Sequence, residues 1–179
     1  MGSQNTSSDL FSPADQDAEI GSWTYSLRKD VVTDEIYNVA YEPANDQNIN
    51  GQTPTLRVSC DGRTLDIEVQ WGDNLGSDRV TYRFDNHPAI TETWSESDLN
   101  QPNQPTFVSL SKTSGKKPFL DLAASSHILL FRVRLLAGVP DDNTLYDDTV
   151  GFNLTDFEEA VGPVIQACQA DSNKLNTTN

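Results

Sequence analysis

The chain has 179 residues and a formal net charge of -15, from 12 basic and 27 acidic side chains, with apolar residues at 36%. That length holds one domain with a real core, but the apolar share lies below the ~45–50% usual in compact domains, so part of the chain is expected outside the core. No apolar run approaches the ~20 residues of a membrane-spanning helix, and so acidic a chain argues against a nucleic-acid partner.

Residues 1–19 are rich in Ser, Asp, Gln and Asn, with Leu10 and Phe11 as their only large apolar pair. Such a segment cannot offset its chain entropy by burial, which predicts a disordered acidic tether over 1–19. It contains no basic stretch followed by an apolar run of the kind an export signal uses. A single β-rich domain is expected over 20–170 and a frayed polar tail over 171–179. The charge is uneven along the chain: residues 51–134 carry ten acidic and nine basic groups, whereas 1–50 and 135–179 each carry a balance of -7.

From Trp23 to Leu136 the dominant period is two. Leu56, Val58 and Cys60 alternate with Arg57 and Ser59; Leu65, Ile67, Val69 and Trp71 with Asp66, Glu68 and Gln70; Val80, Tyr82 and Phe84 with Arg79, Thr81 and Arg83. This pattern is that of half-buried antiparallel strands. Strands are predicted at 23–28, 36–42, 55–60, 64–71, 79–85, 90–94, 106–111, 127–136 and 149–154, with Asp61-Gly62 as a hairpin turn. The stretch 127–136 is the most apolar and is expected to be central. Gly115-Lys116 lacks the upstream glycine of a phosphate-binding loop and reads as a hairpin turn with a solvated basic tip.

Near the end, Thr155-Asp156-Phe157-Glu158 fits a helix capping box. Phe157, Val161, Val164 and Cys168 then form one apolar stripe, while Pro163 predicts a kink or two shorter pieces. The fold class is mostly β: an antiparallel β-sandwich-like domain with a C-terminal helix.

Few residues point to chemistry. Arg79, Arg83, Arg132 and Arg134, with Arg57, sit at outward positions of strands and could present a basic face to a ligand carboxylate or phosphate. The competing reading pairs them with Asp66, Glu68 and Asp85 across the wet face. Asp46, Asn48, Asn50 and Gly51 match the first half of a calcium loop, but Arg57 stands where the bidentate Glu belongs, and turn chemistry accounts for the same residues. Asp141-Asp142 and Asp147-Asp148 read as a solvated acidic loop. Ser109 and Lys112 have the S-x-x-K spacing of penicillin-recognising enzymes, but the second motif would have to reuse Lys112. No cofactor, catalytic residue or metal site is assigned. The two cysteines, Cys60 and Cys168, fit one structural disulfide or two reduced, buried thiols; a zinc site with His87 and His127 lacks the usual spacing.

Several segments in order resemble the VasI family, also called TagO-like: small extracytoplasmic accessory proteins linked to bacterial type VI secretion. They are Trp23 with Thr33-Asp34, Leu56 to Cys60, the strand ending at Trp71, Val80 to Asp85 continuing to Trp94-Ser95-Glu96-Ser97, Phe107 to Leu110, Phe131-Arg132-Val133, and Gly151 to Leu154 leading to Cys168. The acidic stretch 137–148 is longer than the family pattern. The resemblance implies that Cys60 and Cys168 are the family's bonded pair and that the protein is periplasmic or secreted. It transfers no catalytic residue. The expected function is a non-enzymatic binding or accessory domain with a protein or small-ligand partner. The alternative is a periplasmic hydrolase or lyase using an Arg/carboxylate site on one sheet face.

Overall fold

The computed structural model describes residues 16–29, 36–61, 64–72, 75, 78–96, 107–110, 113–136 and 145–176. Strands β1 (Gln16–Ile20), β2 (Trp23–Lys29), β3 (Ile36–Pro43), β4 (Thr55–Cys60) and β5 (Leu65–Gln70) follow one another as an antiparallel meander. β6 (Arg79–Phe84) and β7 (Ile90–Thr93) form a hairpin, and short β8 (Ser95–Glu96) and β9 (Phe107–Ser109) extend the first sheet beyond β5. Helix α1 (Thr113–Ala124), β10 (Ile128–Leu136), β11 (Leu145–Asn153) and helix α2 (Phe157–Asn176) complete the chain. The result is a seven-stranded sheet ordered β1-β2-β3-β4-β5-β9-β8 and a four-stranded sheet ordered β11-β10-β6-β7. As the periodicity predicts, the domain is mostly antiparallel β, sandwich-like, with a C-terminal helix, and 127–136 supplies a central strand.

The alternation decides which side chains enter the core. Ala40, Leu56, Val58, Ile67, Val69 and Val108 line the inner face of the large sheet, and Val80, Tyr82, Phe84, Leu129, Phe131, Val133, Val150 and Phe152 that of the small one. α2 packs on β2, β3 and β4 through the expected stripe, with Phe157, Val161 and Val164 buried and Trp23 meeting Phe157 edge-on at 5.3 Å. An aromatic cluster fills the sandwich: Phe131 lies 5.1 Å from Trp94, and Phe119 of α1 lies 5.1 Å from Phe84 and 5.5 Å from Tyr82. Such edge-on ring pairs add to what their burial contributes. The Cys60–Cys168 disulfide, with 5.7 Å between the Cα atoms, ties the end of β4 to α2.

Several expectations need correction. β1 begins at Gln16, inside the stretch read as tether: Asp17 accepts from Ser26 and from Arg28 (3.0 Å), so acidic residues dock this edge strand; residues 1–15 lie outside the described residues. Gly115 and Lys116 belong to a helix, not to a solvated hairpin tip. Phe119 and Ala123 have buried partners, and Lys116 Nζ donates to the Leu65 carbonyl and to Asp66 at 3.0 Å, so tertiary contacts override the turn composition. Asp147 and Asp148 lie within β11, which starts at Leu145, while 137–144 fall outside the described residues. α2 runs as one element past Pro163 to Asn176, so 171–176 extend a helix where fraying was expected. Its first turn-closing bond runs from Ala160 N–H to the Asp156 carbonyl, which places the cap at Asp156 rather than Thr155.

Candidate ligand-binding face

β6 and β10 pair antiparallel with Thr81 opposite Arg132 and Arg83 opposite Leu130. β11 pairs with the other side of β10, setting Thr149 opposite Arg132 and Asp147 opposite Arg134, and β7 sets Thr91 opposite Thr81. Because inward positions alternate strictly with outward ones, Arg79, Arg83, Arg132 and Arg134 all emerge on the outer face of the small sheet. Arg57 does not join them. It lies on β4 in the other sheet, 3.7 Å from Glu68 on β5.

Two of the four arginines, Arg132 and Arg134, are held by a hydroxyl and one carboxylate. Arg132 Nε donates to Thr149 Oγ1 at 3.1 Å, and Arg134 Nε donates to Asp147 Oδ1 at 3.1 Å. Asp147 Oδ2 also stands 3.8 Å from Arg132 Nη1, so one carboxylate serves two guanidinium groups. Thr81 and Thr91 share a hydrogen bond of 2.9 Å between their hydroxyls. A groove of about 260 Å³ runs over Arg79, Thr81, Thr91, Arg132 and Arg134, beside Asp147. A second of about 180 Å³ shares Thr81 and Arg132 with it and extends over Arg83, Leu130 and Ala89. Both fall short of the ~300–1,000 Å³ of drug-sized pockets, so an occupant lies along the face instead of entering the domain.

Of the carboxylates weighed as partners, Glu68 does pair with Arg57, as the competing reading has it, while Asp66 and Asp85 have other work. Asp66 takes Lys116, and Glu68 takes Arg57 and the Ser109 hydroxyl. Asp85, at φ 40°, accepts the amides of Ile128 (2.8 Å) and His127 (3.1 Å), which hold its carboxyl below the usual range and close the β6–β10 end. The calcium-like loop is likewise self-contained. Asn48 Oδ1 accepts the amides of Asn50 and Gln52, its Nδ2 donates to the Trp71 carbonyl at 3.0 Å, and Asp148 accepts Ile49 N–H. Asp46 is exposed on the same loop. Among the described residues no three His, Cys, Asp or Glu side chains gather as a metal cluster, and the cysteines are bonded to each other, which removes them from any zinc site.

Sequence reasoning missed Asp147 as the carboxylate of the face, having placed it in a loop, and missed the role of Thr81, Thr91 and Thr149. Their outward positions in alternating runs were the available signal. It also missed Glu42. This carboxylate is 1% exposed, at an inward position of β3, with Oε2 unpartnered. Burial raises its pKa to about 7, with a hydrogen bond from Ser22 opposing. Nearby on the chain, Trp23 Nε1 donates to the Asn153 carbonyl at 3.1 Å and Asn153 Nδ2 to the Ser22 hydroxyl at 3.2 Å, joining the two sheets.

No family model matches the sequence, and no curated protein matches it. Among solved structures, invasion associated protein B from Bartonella henselae is similar, with a TM-score of 0.53 at 12% sequence identity, over 84% of this chain and 96% of that one. At such low identity the likeness is one of fold alone: this chain shares the antiparallel β architecture of that protein.

Proposed function

We propose that the protein is a non-enzymatic extracytoplasmic binding or accessory domain, serving type VI secretion as its resemblance to the VasI family implies. The observation that carries this reading is the outer face of β11-β10-β6-β7, where four arginines and three threonines are set by strand register around one shared carboxylate. A rigid, open, polar face is suited to recognition. The disulfide supports an oxidising compartment, where such bonds persist. No helix of the described residues is long and apolar enough to cross a membrane.

The hydrolase or lyase alternative needs a carboxylate poised for proton transfer beside the arginines. The carboxylate raised to about 7 is Glu42, which points into the core from the other sheet, while Asp147 is engaged by Arg132 and Arg134. That arrangement favours binding over catalysis. Deleting the gene in its own organism should lower release of type VI effectors. Wild type should restore release, and an Arg132→Ala/Arg134→Ala variant of equal abundance should not. Unchanged release after deletion would remove the secretion role; full restoration by the variant would remove the face.

A further inference from the structure

The chemistry of the Arg/Thr face selects among ligands, and we infer that it binds a short acidic saccharide, a hydroxyl-rich ring bearing carboxylate or phosphate. This rests on reading that face as a binding surface. In a molecule of net charge -15, the outward side chains of the small sheet include four of the seven arginines and, among the described residues, only Asp147 against them. The face is therefore locally cationic although the whole protein is not.

The guanidinium groups are preorganised. Arg132 and Arg134 are each anchored through Nε, yet their side chains remain 52% and 55% exposed. A guanidinium carries five N–H donors, so this anchoring leaves donors for a bidentate anion. They stand two positions apart on β10, about 6.6 Å at the usual strand rise. Between these arginines and Arg83, the paired hydroxyls of Thr81 and Thr91 keep donor and acceptor capacity that sugar hydroxyls can use. Leu130 and Ala89 add a small apolar area in the adjoining groove, matching the C–H face of a ring.

Other ligand classes fit less well. A peptide bound by strand addition needs an open sheet edge, whereas β10 and β6 are interior strands with both sides paired. Single-stranded nucleic acid needs aromatic platforms, and the described outward side chains of this sheet are Arg, Thr, Asp, Asn, Ile and Leu, the exposed Tyr146 lying at an inward register position opposite Leu135. The overall negative field opposes any long polyanion, which restricts the ligand to a few charges.

Calorimetric titration of the full chain tests this with a uronic-acid trisaccharide, a hexose phosphate, a neutral trisaccharide and an acidic hexapeptide. Either acidic sugar should bind, and which of them binds identifies the anion; the neutral sugar and the peptide should not. Arg132→Gln/Arg134→Gln should weaken binding about tenfold or more, and Arg132→Lys should weaken it less, both with an unchanged melting temperature. Thr81→Val should weaken the acidic sugar without altering its salt dependence. No binding of either acidic sugar overturns the inference. Binding of the peptide alone, lost in the arginine variant, overturns the saccharide class but keeps the binding face. Sugar binding that the double variant retains in full overturns both.

Discussion

Glu42 is the residue whose chemistry conflicts most with its position. The alternation of β3 turns Asn38, Ala40 and Glu42 inward, so a carboxyl enters a site that backbone geometry reserves for the core. Burial penalises the charged form and lifts the pKa from 4.5 to about 7. The folded state then holds its proton more tightly than the unfolded chain. The associated stability is fully present below pH 4.5 and is lost as pH rises through about 7. The displacement corresponds to on the order of 3 kcal/mol. Glu42→Gln, which keeps the shape of the protonated acid, should flatten the decline in stability between pH 5 and 8 and raise stability at pH 8 by ~1–3 kcal/mol. Urea unfolding across that range measures it, and an unaltered pH profile in the variant would show that Glu42 is already charged in the fold.

At the scale of elements, α2 is fastened twice, by its apolar stripe and by a covalent bond. Phe157, Ala160, Val161 and Val164 bury against β2, β3 and β4, and Cys168 reaches Cys60 at the end of β4. The bond spans 108 residues, so in the chain-entropy model it removes ~4.7 kcal/mol of unfolded-state freedom. Cys60→Ser should lower stability by ~2–5 kcal/mol in oxidising buffer. In reducing buffer variant and wild type should converge, because neither then carries the constraint. Thiol titration of the denatured, unreduced protein supplies the independent reading: two free thiols per chain would mean the bond does not form. α1 has no covalent fastening and depends on Phe119 among Tyr82, Phe84 and Trp94, with Lys116 docked on β5.

At the scale of the molecule, the balance of -15 with a cationic outer face makes electrostatics depend on distance. Close to the small sheet a ligand anion meets arginine; the net negative field of the rest of the molecule is screened beyond a Debye length of ~8–10 Å at about 0.1–0.15 M salt and reaches further only at low ionic strength. The same excess charge repels itself within the compact state. Raising salt from low ionic strength to about 0.3 M should therefore raise the melting temperature, by roughly 2–4 °C for each kcal/mol of repulsion screened. A melting temperature that falls with salt would mean that local pairs such as Arg28–Asp17 and Lys116–Asp66 outweigh the net repulsion.

Strand positions were legible because period-two alternation is a local property: each side chain's facing depends on its neighbours two residues away, and β2 to β6 and β10 fall where the pattern places them. The stripe of α2 was legible for the same reason, at period 3.6. Partnership was not. Whether Arg57 joins Arg132 or faces Glu68 depends on which sheet β4 enters, and that follows from how strands distant in sequence register. Gly115-Lys116 carry turn composition, yet α1 forms because Phe119 finds an aromatic cluster assembled from β6, β10 and Trp94. Asp147 became the hub of the arginine face only once β11 paired along the full length of β10. Local spacing decides which way a side chain points; only the assembled sheets decide what it meets there.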